Sequence, residues 1–117
     1  MKLNEIVFEE GRPVDGYGPN FFRIGGEVFT GAVAVLPNSC GTWSGYEDAS
    51  PFVNVSTQLD VVFVGTGSVI IQIPTPFRTA LEVAGIGVEI MNSPTACRTY
   101  NVLLSEGRRV GLALMPV

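Results

Sequence analysis

The stretch DVVFVGTGSVIIQIPTPFRTALEVAGIGVEIMNSPTACRTYNVLLSEGRRVGLALM, residues 60–115, decides the fold. Asp60-Val61-Val62-Phe63-Val64 is an apolar, β-branched run of the kind that forms a strand buried on both faces, and Gly65-Thr66-Gly67 ends it. After a second apolar run at residues 69–73, Thr75-Pro76 predicts a helix N-cap with proline in the first helical position. The helix is expected over 76–84, with Gly85 as its stop. The grammar then repeats. Val88-Glu89-Ile90-Met91 predicts a strand, Ser93-Pro94 a second cap, residues 94–104 a helix, Gly107 its end, and residues 110–115 a closing strand. Strand–helix–strand–helix–strand at these lengths predicts a C-terminal βαβαβ half with right-handed crossovers wherever neighbouring strands are parallel.

Working outward, the first half reads as β. Phe21-Phe22-Arg23-Ile24 and Glu27-Val28-Phe29-Thr30 flank Gly25-Gly26, a two-residue hairpin signal. Residues 32–36 predict a further strand that stops at Pro37-Asn38-Ser39. Residues 15–20 read as a turn-rich loop around Tyr17, and residues 41–59 hold at most one short helical turn. Continuous patterning with no linker or low-complexity run predicts a single domain over residues 1–117.

Composition narrows the function classes. The 117 residues carry a net charge of −4 with a single lysine, Lys2, and the arginines are scattered apart from Arg108-Arg109. Nucleic-acid affinity rests on clustered cations that displace counterions, so a nucleic-acid partner is not expected. The start Met1-Lys2-Leu3-Asn4-Glu5 runs into Glu9-Glu10 without the apolar stretch of a signal peptide, and the apolar runs at 61–64 and 69–71 are too short to span a bilayer. A cytoplasmic protein without membrane insertion is expected. The chain has no histidine, which removes Ser–His and Cys–His pairs and histidine metal ligands within one chain. Cys40 and Cys97 stand far apart, so neither a disulfide framework nor a zinc site is expected, and no cofactor or metal requirement follows.

Chemistry would sit beyond the C-terminal ends of the parallel strands, where loops meet helix N-termini. Two places qualify. Gly65, Thr66 and Gly67 could offer backbone N–H groups to an anion, although the third glycine of a dinucleotide fingerprint and the G-K-S/T of a phosphate loop are missing. Ser93 opens a helix whose next turns carry Cys97, Arg98, Tyr100 and Asn101, and an N-terminus followed by an arginine suits an anion. Thr99, Tyr100 and Asn101 are indifferent helix formers, so their place mid-helix signals some special duty, structural or functional. Cys97 without a histidine base reads better as a small buried hydrophobe than as a nucleophile. Glu9-Glu10 and Glu47-Asp48 are adjacent carboxylates that would point apart on a strand. Trp43 and Tyr46 suit either a contact surface or a core cap.

Several of these segments occur together in one family. Tyr17-Gly18-Pro19, Phe22-Arg23-Ile24-Gly25-Gly26, Gly31 with residues 33–37, Gly65-Thr66-Gly67, Ala84-Gly85-Ile86, Cys97-Arg98-Thr99-Tyr100-Asn101 and Glu106-Gly107-Arg108-Arg109-Val110, in this order, carry the resemblance. The chain resembles the small Mth-type domain-of-unknown-function family, which includes the mitochondrial respiratory complex I assembly factor three and uncharacterised bacterial proteins. Asn20 stands where that family often has glycine, and residues 42–58 match poorly. The resemblance implies a three-layer α/β fold with a mixed central sheet, an N-terminal β-hairpin region and no established enzymatic activity. It also implies protein partners, as components of a membrane-associated complex. The expectation is a non-catalytic interaction protein rather than an enzyme, a bacterial relative of complex I assembly factors. The alternative is a small-molecule binder or enzyme with a weak anion ligand between Gly65-Thr66-Gly67 and the helix carrying Ser93, Cys97, Arg98, Tyr100 and Asn101.

Overall fold

A computed structural model describes residues 5–8 and 10–117 of the chain. The opening Met1-Lys2-Leu3-Asn4 and Glu9, used above in reading the N-terminus and the carboxylate pairs, lie outside the described residues. The strands are β1 (Ile6–Val7), β2 (Val14–Gly18), β3 (Phe21–Ile24), β4 (Glu27–Thr30), β5 (Val33–Val35), β6 (Ser39–Thr42), β7 (Val61–Thr66), β8 (Gly87–Met91) and β9 (Val110–Met115). The helices are α1 (Ser50–Val53), α2 (Thr75–Val83) and α3 (Ser93–Ser105), with a 3₁₀ turn at Ser56–Gln58.

Six strands form a mixed sheet in the order β1-β6-β5-β9-β7-β8, and β2-β3-β4 form a second, antiparallel sheet. The expected βαβαβ half supplies the parallel part: β7 lies between β8 and β9 and runs parallel to both. The chain crosses from β7 to β8 through α2, then back over β7 to β9 through α3. Two crossovers of one hand in opposite directions must put their helices on opposite faces of the sheet. They do: Phe77 and Leu81 of α2 share a core with Val62, Val64 and Ala113, whereas Ala96, Cys97 and Tyr100 of α3 pack with Phe63, Leu112 and Leu114. Alternate residues of β7 and β9 thus feed two cores, which explains why both strands read as unbroken apolar runs. The small sheet adds Val14, Phe22, Ile24 and Phe29 to the core on the α3 side, giving the three-layer α/β architecture.

The hairpin between β3 and β4 turns at Gly25 and Gly26, with φ of 56° and 87°. Two successive positive φ values define a primed turn whose twist matches the strands, and glycine adopts them without a Cβ penalty. Asn20, at the β2–β3 turn, has φ of 63°, a region asparagine tolerates better than most side chains.

Three expectations need correction. Residues 14–18 form a strand rather than a loop: β2 pairs with β3 across a register irregularity between Val14 and Gly16. Residues 39–42 form β6, sandwiched between β1 and β5. Both helix caps sit one residue earlier than read. Asn92, not Ser93, caps α3 by accepting the Thr95 N–H at 2.8 Å, and α2 begins after Pro74 with no side-chain cap bond. The C-terminal stops are as expected. Gly85 and Ile86 donate to Glu82 and Leu81 carbonyls, Gly107 and Arg108 to those of Leu104 and Leu103, the crossed pair of bonds that closes a Schellman motif. Residues 41–59 do contain a short helical turn, α1.

Candidate functional site

The strand-end crevice lies where β7 passes between β8 and β9, with Gly65 opposite Met91 on one side and Leu114 on the other. A Cβ on Gly65 would lie 2.7 Å from Ser93 Oγ and 2.8 Å from Ser93 Cα. Glycine is therefore required for the first turn of α3 to rest directly on the strand. Ser93 is fully buried there. Its hydroxyl donates to the Met115 carbonyl at 2.6 Å and accepts the Gly67 N–H at 2.9 Å, while its own N–H donates to the Gly67 carbonyl at 2.8 Å. One serine thus joins the ends of β7, β9 and α3. Burial of a polar residue is tolerated because its bonding capacity is used.

Thr66 does similar work on the next loop. Its hydroxyl donates to the Val69 carbonyl at 2.7 Å, accepts the Ile71 N–H at 3.1 Å, and lies 3.3 Å from the Met91 carbonyl. Of the expected anion donors, the Gly67 N–H and the Ser93 hydroxyl and N–H are engaged inside the chain.

The remaining candidates spread along α3 rather than converging on that crevice. Tyr100 is fully buried and its hydroxyl donates to the Arg12 carbonyl at 2.9 Å. Asn101 accepts the Val14 N–H at 2.8 Å and donates to the Val14 carbonyl at 2.9 Å, so its amide acts as a one-residue strand partner for β2. Arg98 is exposed and donates to Thr95 Oγ1 at 3.1 Å. Two of the poor helix formers of the 99–101 segment, Tyr100 and Asn101, are thus the means by which α3 holds Arg12 and the first residue of β2. Trp43 is buried among Tyr46, Phe52 and Phe77 and donates to the Asp48 carbonyl at 2.8 Å, so this aromatic group caps the core under α2.

Cys97 and Cys40 are buried free thiols. Burial pushes the Cys97 thiol up to about 12, against a smaller opposing pull from Arg98, and the Cys40 thiol up to about 11. Because the thiolate is the nucleophile, neither suits covalent chemistry at neutral pH. The folded protein holds these protons where the unfolded chain, with thiols near 9, loses them. This contribution to stability is complete below pH 9 and is lost as pH rises towards 11–12. The urea midpoint should therefore fall as pH rises from about 9 towards 11, and a Cys40→Ala, Cys97→Ala variant, though less stable at neutral pH, should show a shallower fall. An identical slope in the variant would contradict this assignment.

The feature sequence reasoning passed over is the loop after β7. Val69, Ile70 and Ile71 are 65%, 62% and 54% exposed, three consecutive β-branched aliphatics facing solvent. They are not a slack excursion, since the Thr66 hydroxyl grips the loop at both ends. Ile73, two residues on, is buried in the core beneath α2 and anchors the other side. The run itself was visible in the sequence; its exposure was not. No helix among the described residues is long and apolar enough to cross a membrane.

Comparison with known proteins places this architecture. An uncharacterized protein of Rhodobacter capsulatus is 41% identical over 117 residues, covering all of this chain and 94% of its own length. NADH dehydrogenase [ubiquinone] 1 alpha subcomplex assembly factor 3 of Rattus norvegicus is 33% identical over 99% of the chain, and that of Homo sapiens is 34% identical over 88%. The match spans 66% and 60% of those two longer proteins. Among solved structures, an outer membrane protein from Bartonella henselae superposes with a TM-score of 0.83 at 31% identity, covering 92% of this chain and 97% of that one. A Mth938-like domain of Bordetella pertussis gives 0.73 at 26%, covering 99% and 92%. The family model described as protein of unknown function (DUF498/DUF598) matches residues 14–115, from the first residue of β2 to the last of β9, and the chain belongs to that family.

Proposed function

We propose that the chain is a non-catalytic, assembly-factor-like protein that docks onto partner proteins through residues 69–71. The observation that carries this reading is the pinned, exposed aliphatic triplet at the end of the parallel strands. Relatives named as complex I subcomplex assembly factors supply the biological setting, in which partners belong to a respiratory complex. Covering three aliphatic side chains that are 65%, 62% and 54% exposed would contribute about 3–5 kcal/mol. That is the size of an interface anchor rather than of a whole interface, which needs a surrounding contact area near 800 Å² per partner. A loop already held in one conformation loses little further entropy on binding. The anion-pocket alternative has no comparable support, because the donors it needs are spent on the joint at Ser93.

Capture from native membranes tests the reading. Tagged protein should retain specific partners, and an Ile70→Ser, Ile71→Ser variant should lose most of them. Both residues are exposed, so the variant should melt within a degree or two of the parent, reflecting the roughly 0.5 kcal/mol typical of surface changes. Undiminished capture by the variant would reject the loop as the anchor.

A further inference from the structure

β8 ends the six-stranded sheet. The opposite edge, β1, is a two-residue strand, whereas β8 is five residues long. Beyond β8 no strand follows among the described residues, so its outward N–H and C=O groups form an open template. The aliphatic loop begins where this edge ends: the Thr66 hydroxyl lies 2.7 Å from the Val69 carbonyl and 3.3 Å from the Met91 carbonyl. Val88 and Ile90 turn towards the core beneath α2, while Glu89, the central residue, is exposed.

We propose that the β8 edge and residues 69–71 form one surface that accepts an extended segment of a partner protein as a seventh strand, with a basic side chain opposite Glu89. This rests on the docking function proposed above and specifies the partner's chemistry. An added strand satisfies the open backbone groups, and its outer end reaches the aliphatic triplet. A second copy of this chain fits poorly. The two-fold antiparallel register that pairs all five residues of β8 sets Glu89 against Glu89, and each chain carries a net charge of −4. Like charges directly opposite destabilise a strand pair, and opposite charges stabilise it. Glu89 therefore blocks self-pairing and selects a cationic segment.

Two capped seven-residue peptides of alternating threonine and valine, one with lysine and one with glutamate at the centre, test this by amide-shift titration. The lysine peptide should move the amides of Gly87–Met91 and residues 69–71 and bind roughly tenfold tighter than the glutamate peptide. Glu89→Lys, at an exposed position, should keep its melting temperature and reverse that preference. Shifts confined to other regions, no binding of either peptide, or equal affinities unaffected by Glu89→Lys would overturn the proposal. If the peptides fail while Ile70→Ser, Ile71→Ser still abolishes membrane capture, the edge inference falls and the docking reading stands. If the peptides bind as expected while that variant captures normally, the anchor assigned to residues 69–71 falls instead.

Discussion

Tyr100→Ala is expected to cost about 3–5 kcal/mol, a large share of the whole stability of a domain this size. The ring is fully buried between α3, the central sheet and the N-terminal sheet, so its removal leaves a cavity on the side of the core where three layers meet. Tyr100→Phe keeps the ring and removes only the bond to the Arg12 carbonyl, for about 1 kcal/mol. Asn101→Ala strands both the N–H and the carbonyl of Val14 and should cost about 1–3 kcal/mol. Urea denaturation of the three variants gives the ranking directly. Equal losses for Tyr100→Phe and Tyr100→Ala would show that ring packing is not what Tyr100 supplies.

Gly65→Ala should cost about 1–3 kcal/mol, an unusual penalty for adding one methyl group to a strand. The new Cβ would meet the Cα of Ser93 at 2.8 Å, and backbone cannot retreat as a side-chain tip can. α3 must lift off β7, stretching the Ser93 bonds to Gly67 and Met115. Ser93→Ala in the same background should add little, because those bonds are already weakened; fully additive losses would mean that glycine and serine act separately.

The C-terminal half was legible because its signals are local. Proline near each helix start and the Schellman glycines at 85 and 107 each act within a few residues of the feature they predict. The caps were misread by one position because a hydroxyl before proline can cap a helix or, as Ser93 does, leave that task to Asn92 and bond elsewhere. β2 and β6 escaped because Gly16, Gly18, Ser39 and Gly41 lack strand character; neighbouring strands and the Asn101 clamp hold them instead. Thr99, Tyr100 and Asn101 stood out in the sequence as indifferent helix formers inside a helix. Their purpose was hidden because the partners of Tyr100 and Asn101 lie 88 and 87 residues away. The exposure of residues 69–71 was hidden for another reason: an apolar run in sequence carries no mark of whether anything covers it.

The central claim is that the Gly-Thr-Gly and Cys-Arg-Thr-Tyr-Asn segments hold the fold together while residues 69–71 engage the partner. Partner capture from native membranes, normalised to folded protein, tests it when Asn101→Ala and Ile70→Ser, Ile71→Ser are measured side by side. The account predicts that Asn101→Ala lowers the urea midpoint yet captures partners undiminished per folded molecule, whereas the loop variant keeps its midpoint and loses capture. A stable Asn101→Ala protein that fails to capture, beside a loop variant that captures normally, would contradict it.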